Sequence, residues 1–136
     1  IFSVLVLGAP YSSGASYSAY RFAQAALNKI TTRTITNATP YIAFSSIKTV
    51  FIPVVIGNAP QDEFNLYKAW QELQITHNLD LVTCIAAAAR RGVIDSGEAK
   101  RHNKPQHNMS TNFSLSGLGQ LVEANALSDR VITFGR

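Results

Sequence analysis

The chain has 136 residues, a formal net charge of +4, a sequence pI near 9.5 and a single cysteine. This length suits one domain over residues 1–136 with a core of its own, and 46% hydrophobic against 15% charged residues is too apolar for a disordered chain. One cysteine excludes an internal disulfide framework and any all-cysteine metal site; the lone thiol is either a small core hydrophobe or a reagent.

The chain opens on Phe2 to Leu7, β-rich and almost continuously apolar, the pattern of a strand buried in a parallel sheet. Gly8 to Gly14 is a loop of turn-formers. Tyr17, Tyr20, Ala23 and Leu27 then recur at helical spacing, widened by Phe22 and Ala26, and predict a helix over 16–29. Strand, Gly-rich turn and helix together open a βαβ unit. The Gly8–Gly14 loop matches neither a phosphate-binding Walker loop nor Gly-x-Gly-x-x-Gly, so it reads as a tight turn before an anion site.

Residues 31–46 carry no helical period and read as loop or irregular strand. Ile47 to Ile56 predicts a second strand, with Pro53 near its end. Asp62 is placed to cap a helix over 63–77 that sets Phe64, Tyr67, Trp70 and Leu73 on one face, as helix core or a subunit contact. Asp80 to Cys84 is a third short strand. A short helix over 86–91 stops at Gly92, and Asp95 with Glu98 three residues on marks the start of another. Residues 102–112 are polar. A helix over 116–126 presents Leu118, Leu121 and Val122, and Asp129 to Phe134 is the last strand. Strands alternating with helices imply an α/β fold of three layers, with a mainly parallel sheet flanked by helices; in such sheets functional atoms gather at the carboxyl ends of the strands.

The charge is uneven. Residues 1–60 hold Arg21, Lys29, Arg33 and Lys48 and no acidic residue, whereas the remainder is neutral. The one dense basic cluster is Arg90, Arg91, Lys100, Arg101 and Lys104, with His102 and His107 nearby; it reads as a solvated face, and direct tRNA or DNA binding is not expected. No apolar run approaches the ~20 residues of a membrane span, no signal-peptide pattern is present, and the expected location is the cytoplasm.

Cys84 ends the third strand and immediately precedes Ile85-Ala86-Ala87. The strand end is where ligands meet open α/β sheets. The helix start offers unpaired N–H groups and the positive end of the helix dipole, which favour the nucleophilic thiolate. The alanines leave room for a second sulfur. Free cysteine is nevertheless among the most buried residue types, so composition alone favours the inert alternative. Other thiol chemistries find little support. Zinc lacks ligands, since His102 and His107 with one cysteine make a poor set. A Cys-x-x-Cys redox pair is excluded by Ala87. A Cys–His pair needs a placement of His77, His102 or His107 that spacing does not supply.

The segment from Cys84 to Asp95 with Glu98-Ala99 resembles the active-site region of the DsrE/TusD family of sulfur-relay proteins. Phe113 to Ala124 and Asp129 to Phe134 resemble that family's C-terminal block. Gly8 to Tyr11, Arg21 to Ala25, and Asp62 to Leu66 with Ala69-Trp70 resemble its first loop and its first two helices. Residues 31–46, Ile52-Pro53 and the loop from Gly57 to Pro60 depart from the family pattern. The resemblance implies a DsrE-like, flavodoxin-like domain and a sulfurtransferase that carries sulfane sulfur as a persulfide on Cys84, with no cofactor and no metal. It also implies TusB-like and TusC-like subunits in a dimer of heterotrimers, a TusA-like sulfur donor and a TusE-like acceptor, in the service of 2-thiolation of the tRNA wobble uridine. A DsrE-like carrier in sulfur oxidation and a non-catalytic assembly subunit are the alternatives.

Overall fold

A computed structural model describes residues 2–8, 13–31, 47–51 and 62–135. Among the described residues, five strands form one sheet: β1 (Phe2–Val6), β2 (Ile47–Phe51), β3 (Asp80–Cys84), β4 (Ser114–Ser116) and β5 (Arg130–Phe134). Their spatial order is β4-β3-β2-β1-β5, and all four pairings are parallel. The helices are α1 (Ala15–Thr31), α2 (Leu66–His77), α3 (Ile85–Arg90), α4 (Ser96–Arg101) and α5 (Leu118–Leu127). The α/β class and the parallel sheet expected from the sequence are therefore present.

The order follows from the handedness of parallel crossovers. The steps β1 to β2 to β3 run one way across the sheet, so right-handed connections place α1 and α2 on the same face. Their contact there is aromatic: the Tyr20 and Trp70 rings meet edge to face with centroids 5.7 Å apart. Val4, Val6, Val50 and Leu81 supply the sheet side of this core, with Ala19, Ala23, Leu27, Leu66, Ala69 and Leu73 from the helices. Trp70 is fully buried. It is core and offers nothing to a subunit contact, whereas Phe64 of the expected stripe precedes α2 and is 52% exposed. The chain returns from edge strand β4 to the opposite edge β5 through α5, and this reversal assigns α5 to the other face. Ser3 alternates with Val4 toward that face, and its hydroxyl lies 2.7 Å from that of Ser128 at the end of α5.

Four features differ from the sequence reading. Helix α2 starts at Leu66, capped by Asn65, whose Oδ1 accepts the Lys68 N–H at 3.0 Å. Asp62 lies in a preceding turn. A start at 63 is unnecessary because Leu66, Ala69, Trp70 and Leu73 already complete the buried face. Strand β4 was not anticipated: Ser114-Leu115-Ser116 has little apolar content and becomes a strand by pairing with β3. It shifts the start of α5 from 116 to 118, with Gly117 as N-cap. Finally, Leu118 and Val122, one turn apart, are 71% and 67% exposed, so only Leu121 of that helix's apolar trio is half-buried. Residues 32–46 and 52–61, including Pro53 and most of the departures from the family pattern, lie outside the described residues, as do residues 9–12.

Replacing Asn65 by Ala removes a side-chain cap and is expected to lower stability by about 1 kcal/mol. Asp62→Ala should stay within about 0.5 kcal/mol of the parent. Urea unfolding of the two variants checks the assignment.

Candidate active site at the end of strand β3

Strand β3 is exposed at both ends and buried between them. Leu81, Val82 and Thr83 are all at or below 2% exposure, whereas Asp80 and Cys84 reach solvent. Leu81 and Thr83 point to the α1/α2 face, and Val82 and Cys84 alternate to the other. A parallel sheet holds the strand by slanted, evenly spaced bonds on both sides, here Phe51↔Val82 toward β2 and Cys84↔Ser116 toward β4. The backbone under the cysteine is thus fixed while its sulfur projects from the carboxyl edge.

Cys84 is also the N-cap of α3, with extended backbone (φ −63°, ψ 120°), and its side chain makes no capping hydrogen bond. A Ser, Asp or Asn there would turn its side chain back onto the helix N–H groups; the thiol does not. The neighbouring residues are small. Ala86 is exposed and Ala87 half-buried. Beyond Ser116, a Cβ built on Gly117 or Gly119 would meet no atom within 4 Å. The free cysteine is exposed and lies outside the buried core.

Helix α3 ends as its sequence predicts. Gly92 adopts φ +70°, and Val93 N–H donates to Ala88 O at 3.0 Å, closing the helix in a left-handed turn that favours glycine. Helix α4 starts at the predicted cap, Asp95 Oδ1 accepting from Glu98 N–H at 2.8 Å. It ends in a second left-handed residue, Asn103 (φ 55°), with Lys104 N–H bonded to Ala99 O. Asn108 ties the following loop back: its Nδ2 donates to Gly92 O at 2.9 Å and its Oδ1 accepts from Ile94 N–H at 3.0 Å. The result is a depression of ≈ 490 Å³ lined by Ala89, Gly92, Ile94 and the loop residues His102, Lys104 and His107. Spacing alone did not join these residues; tolerance of Asn for the left-handed region is the signal that bears on it.

The histidines are not brought to the thiol as a group. His77 ends α2, at the amino edge of the sheet, so the length of β3, roughly 13 Å, separates it from Cys84. His102 faces Glu98, with Nε2 3.2 Å from Oε2. Arg90 and Arg91 sit at the far end of α3, exposed, and Arg91 Nη1 lies 3.4 Å from the Ala87 carbonyl.

A parallel sheet of this order with a cysteine at the end of its third strand now has a family. Residues 1–134 match the DsrE/DsrF-like family model, and the chain belongs to that family. It is 40% identical to the DsrE protein of Allochromatium vinosum over 140 residues, covering 98% of both chains. It is 38% identical to the sulfurtransferase TusD homolog of Vibrio vulnificus, covering 98% of this chain and 96% of the relative, and 37% identical to sulfurtransferase TusD of Salmonella newport, covering 98% of each. The fold resembles the crystal structure of ychN protein from E. coli, with a TM-score of 0.65 at 16% identity over 98% of this chain and 97% of that one.

An exposed thiol on a fixed backbone reacts without unfolding. Iodoacetamide added to the native protein should give a single carbamidomethyl adduct at Cys84, at a rate within about tenfold of that in urea. Protection comparable to a core cysteine would contradict the geometry; peptide mass spectrometry reads the result.

Proposed function

We propose that the protein is a sulfurtransferase subunit that carries sulfane sulfur as a persulfide on Cys84 and relays it between protein thiols in the cytoplasm. The observation that carries this reading is the exposed thiol of Cys84 at the carboxyl end of β3, uncommitted to any capping bond. The names of the relatives, sulfurtransferase TusD among them, support it.

The chemistry asks little of the rest of the chain. The Cys84 thiolate attacks the outer sulfur of a donor persulfide, R–S–SH. A bond forms between Sγ and that sulfur, the donor S–S bond breaks, and R–S⁻ departs. The product is Cys84–S–SH. A second protein thiolate then attacks the outer sulfur and Cys84 leaves as thiolate. Each step is an exchange at sulfur, balanced without an external oxidant or reductant, and its rate depends on access as well as on thiolate fraction. Access is what the small residues around Cys84 provide. No second cysteine exists in the chain to resolve the persulfide internally.

The proposed destination is the 2-thiolated wobble uridine of tRNA, with sulfur received from a TusA-like donor and passed to a TusE-like acceptor. TusB-like and TusC-like subunits complete the assembly. The exposed pair Leu118 and Val122 on α5 supports a subunit contact on that face, since large apolar side chains one turn apart are otherwise left in water. The 40% identity to a DsrE favours a second reading, a DsrE-like carrier in sulfur oxidation using the same chemistry at Cys84.

Incubation with a persulfidated donor should add ~32 Da at Cys84; a wild-type chain that never gains it from a loaded donor sinks the proposal. Cys84→Ser should abolish loading while complex formation persists, and survival of relay in that variant would favour a purely assembling role. Cells lacking the gene should lose 2-thiouridine in nucleoside analysis of tRNA, and its retention would favour the second reading. Leu118→Lys with Val122→Lys should prevent co-purification of the partner subunits while leaving the monomer's circular dichroism intact.

A further inference from the structure

We infer that the basic face beside Cys84 is a docking surface for an acidic patch on the proteins that exchange sulfur with it. The inference rests on the sulfur-carrier reading above and adds to it the chemistry of the partner.

The charge distribution is the first ground. Between Cys84 and Phe113 the chain holds Arg90, Arg91, Lys100, Arg101 and Lys104 against Asp95 and Glu98, so this stretch carries three of the four surplus positive charges of the whole protein. The two acids are already engaged. Asp95 caps α4, and Glu98 lies 3.4 Å from Arg101 and 3.2 Å from His102. The five cations are exposed, Arg101 by 72% of its side chain.

Geometry is the second ground. Arg90 and Arg91 end α3, Lys100 and Arg101 end α4, and Lys104 lines the depression together with Ala89 and Gly92. Asn108 clamps this loop to Gly92 and Ile94, and the left-handed turn at Asn103 sets its direction. The surface is therefore built in one shape before a partner arrives, which spares the ordering cost of binding. Arg90, the first of its cations, lies six residues along from Cys84, about 9 Å of helix axis, comparable with the Debye length of ~8–10 Å at physiological salt. A partner whose acidic patch lies beside its own thiol would be steered and oriented with sulfur near sulfur.

The alternative occupant of a basic face is RNA. Single-stranded nucleic acid is held by aromatic platforms as well as cations, and no Phe, Tyr or Trp occurs between residues 85 and 112. An acidic protein surface needs none.

Two persulfidated peptides of equal length test the inference, one with glutamates and one with lysines flanking its cysteine. Loading of Cys84 in the full-length protein, alone and in its complex, is followed by mass spectrometry. At roughly 20 mM salt the acidic peptide should load at least ~10-fold faster than the basic one, and the advantage should collapse by roughly 300 mM. Lys100→Glu, Arg101→Glu and Lys104→Glu together should reverse the preference. The milder Lys100→Gln with Lys104→Gln should reduce it, with iodoacetamide alkylation of Cys84 unchanged in both variants. Equal rates for the two peptides in the wild type overturn the inference, and that measurement depends on no variant. Retention of unmodified tRNA at ~150 mM salt, with displacement of the acidic peptide, also overturns it and assigns the face to RNA. If the wild type loads from neither peptide nor from a persulfidated carrier protein, the sulfur-carrier reading fails instead. Equal loading leaves that reading intact and removes only the partner chemistry.

Discussion

Everything at the candidate site depends on β3 being held on both sides. A strand paired in parallel with β2 and β4 has little freedom to shift register, because a slip of one residue would turn Leu81 and Thr83 out of the core. That constraint fixes where the strand stops, and it stops at Cys84. The sulfur is therefore aimed by backbone pairing and by three buried residues behind it, while among the described residues no side chain is hydrogen-bonded to the thiol. The reactive atom can change occupant without disturbing what positions it.

The same constraint explains why the sequence was readable where it was. Asp80 to Cys84 opens on an exposed aspartate and ends just before Ile85 and four alanines, and these boundaries are those of the strand. Gly92 and Asp95 were readable because a left-handed helix end and a carboxylate cap each have a single local cause. The choice between Asp62 and Asn65 was not local. Both residue types cap helices, and which of them does so is decided by the turn at which Leu66 and Trp70 meet the core.

Other features were invisible for a different reason. Ser114-Leu115-Ser116 is a strand only because β3 offers an open edge beside it, a property of the neighbour. Leu118 and Val122 form an apolar face by spacing, but spacing says nothing about whether anything covers it. The basic cluster was visible as a list of residues. The loop that carries Lys104 is shaped by two asparagines, Asn103 by its backbone and Asn108 by its side chain, neither of which is charged. Chemistry carried by one residue is thus legible at once, whereas a surface assembled by turns becomes legible only when the turns are known.

The bare N-cap of α3 has a further meaning. Hydroxyl and carboxylate residues at that position commonly contribute ~1 kcal/mol, and sulfur contributes little of it. A chain selected for robustness alone would place serine or aspartate where Cys84 stands, at no cost in volume. On the sulfur-carrier reading, the poorer capper trades stability for activity at a single residue. On that reading, loss of chemistry in the serine variant would not originate in a weakened fold, since serine is the better capper.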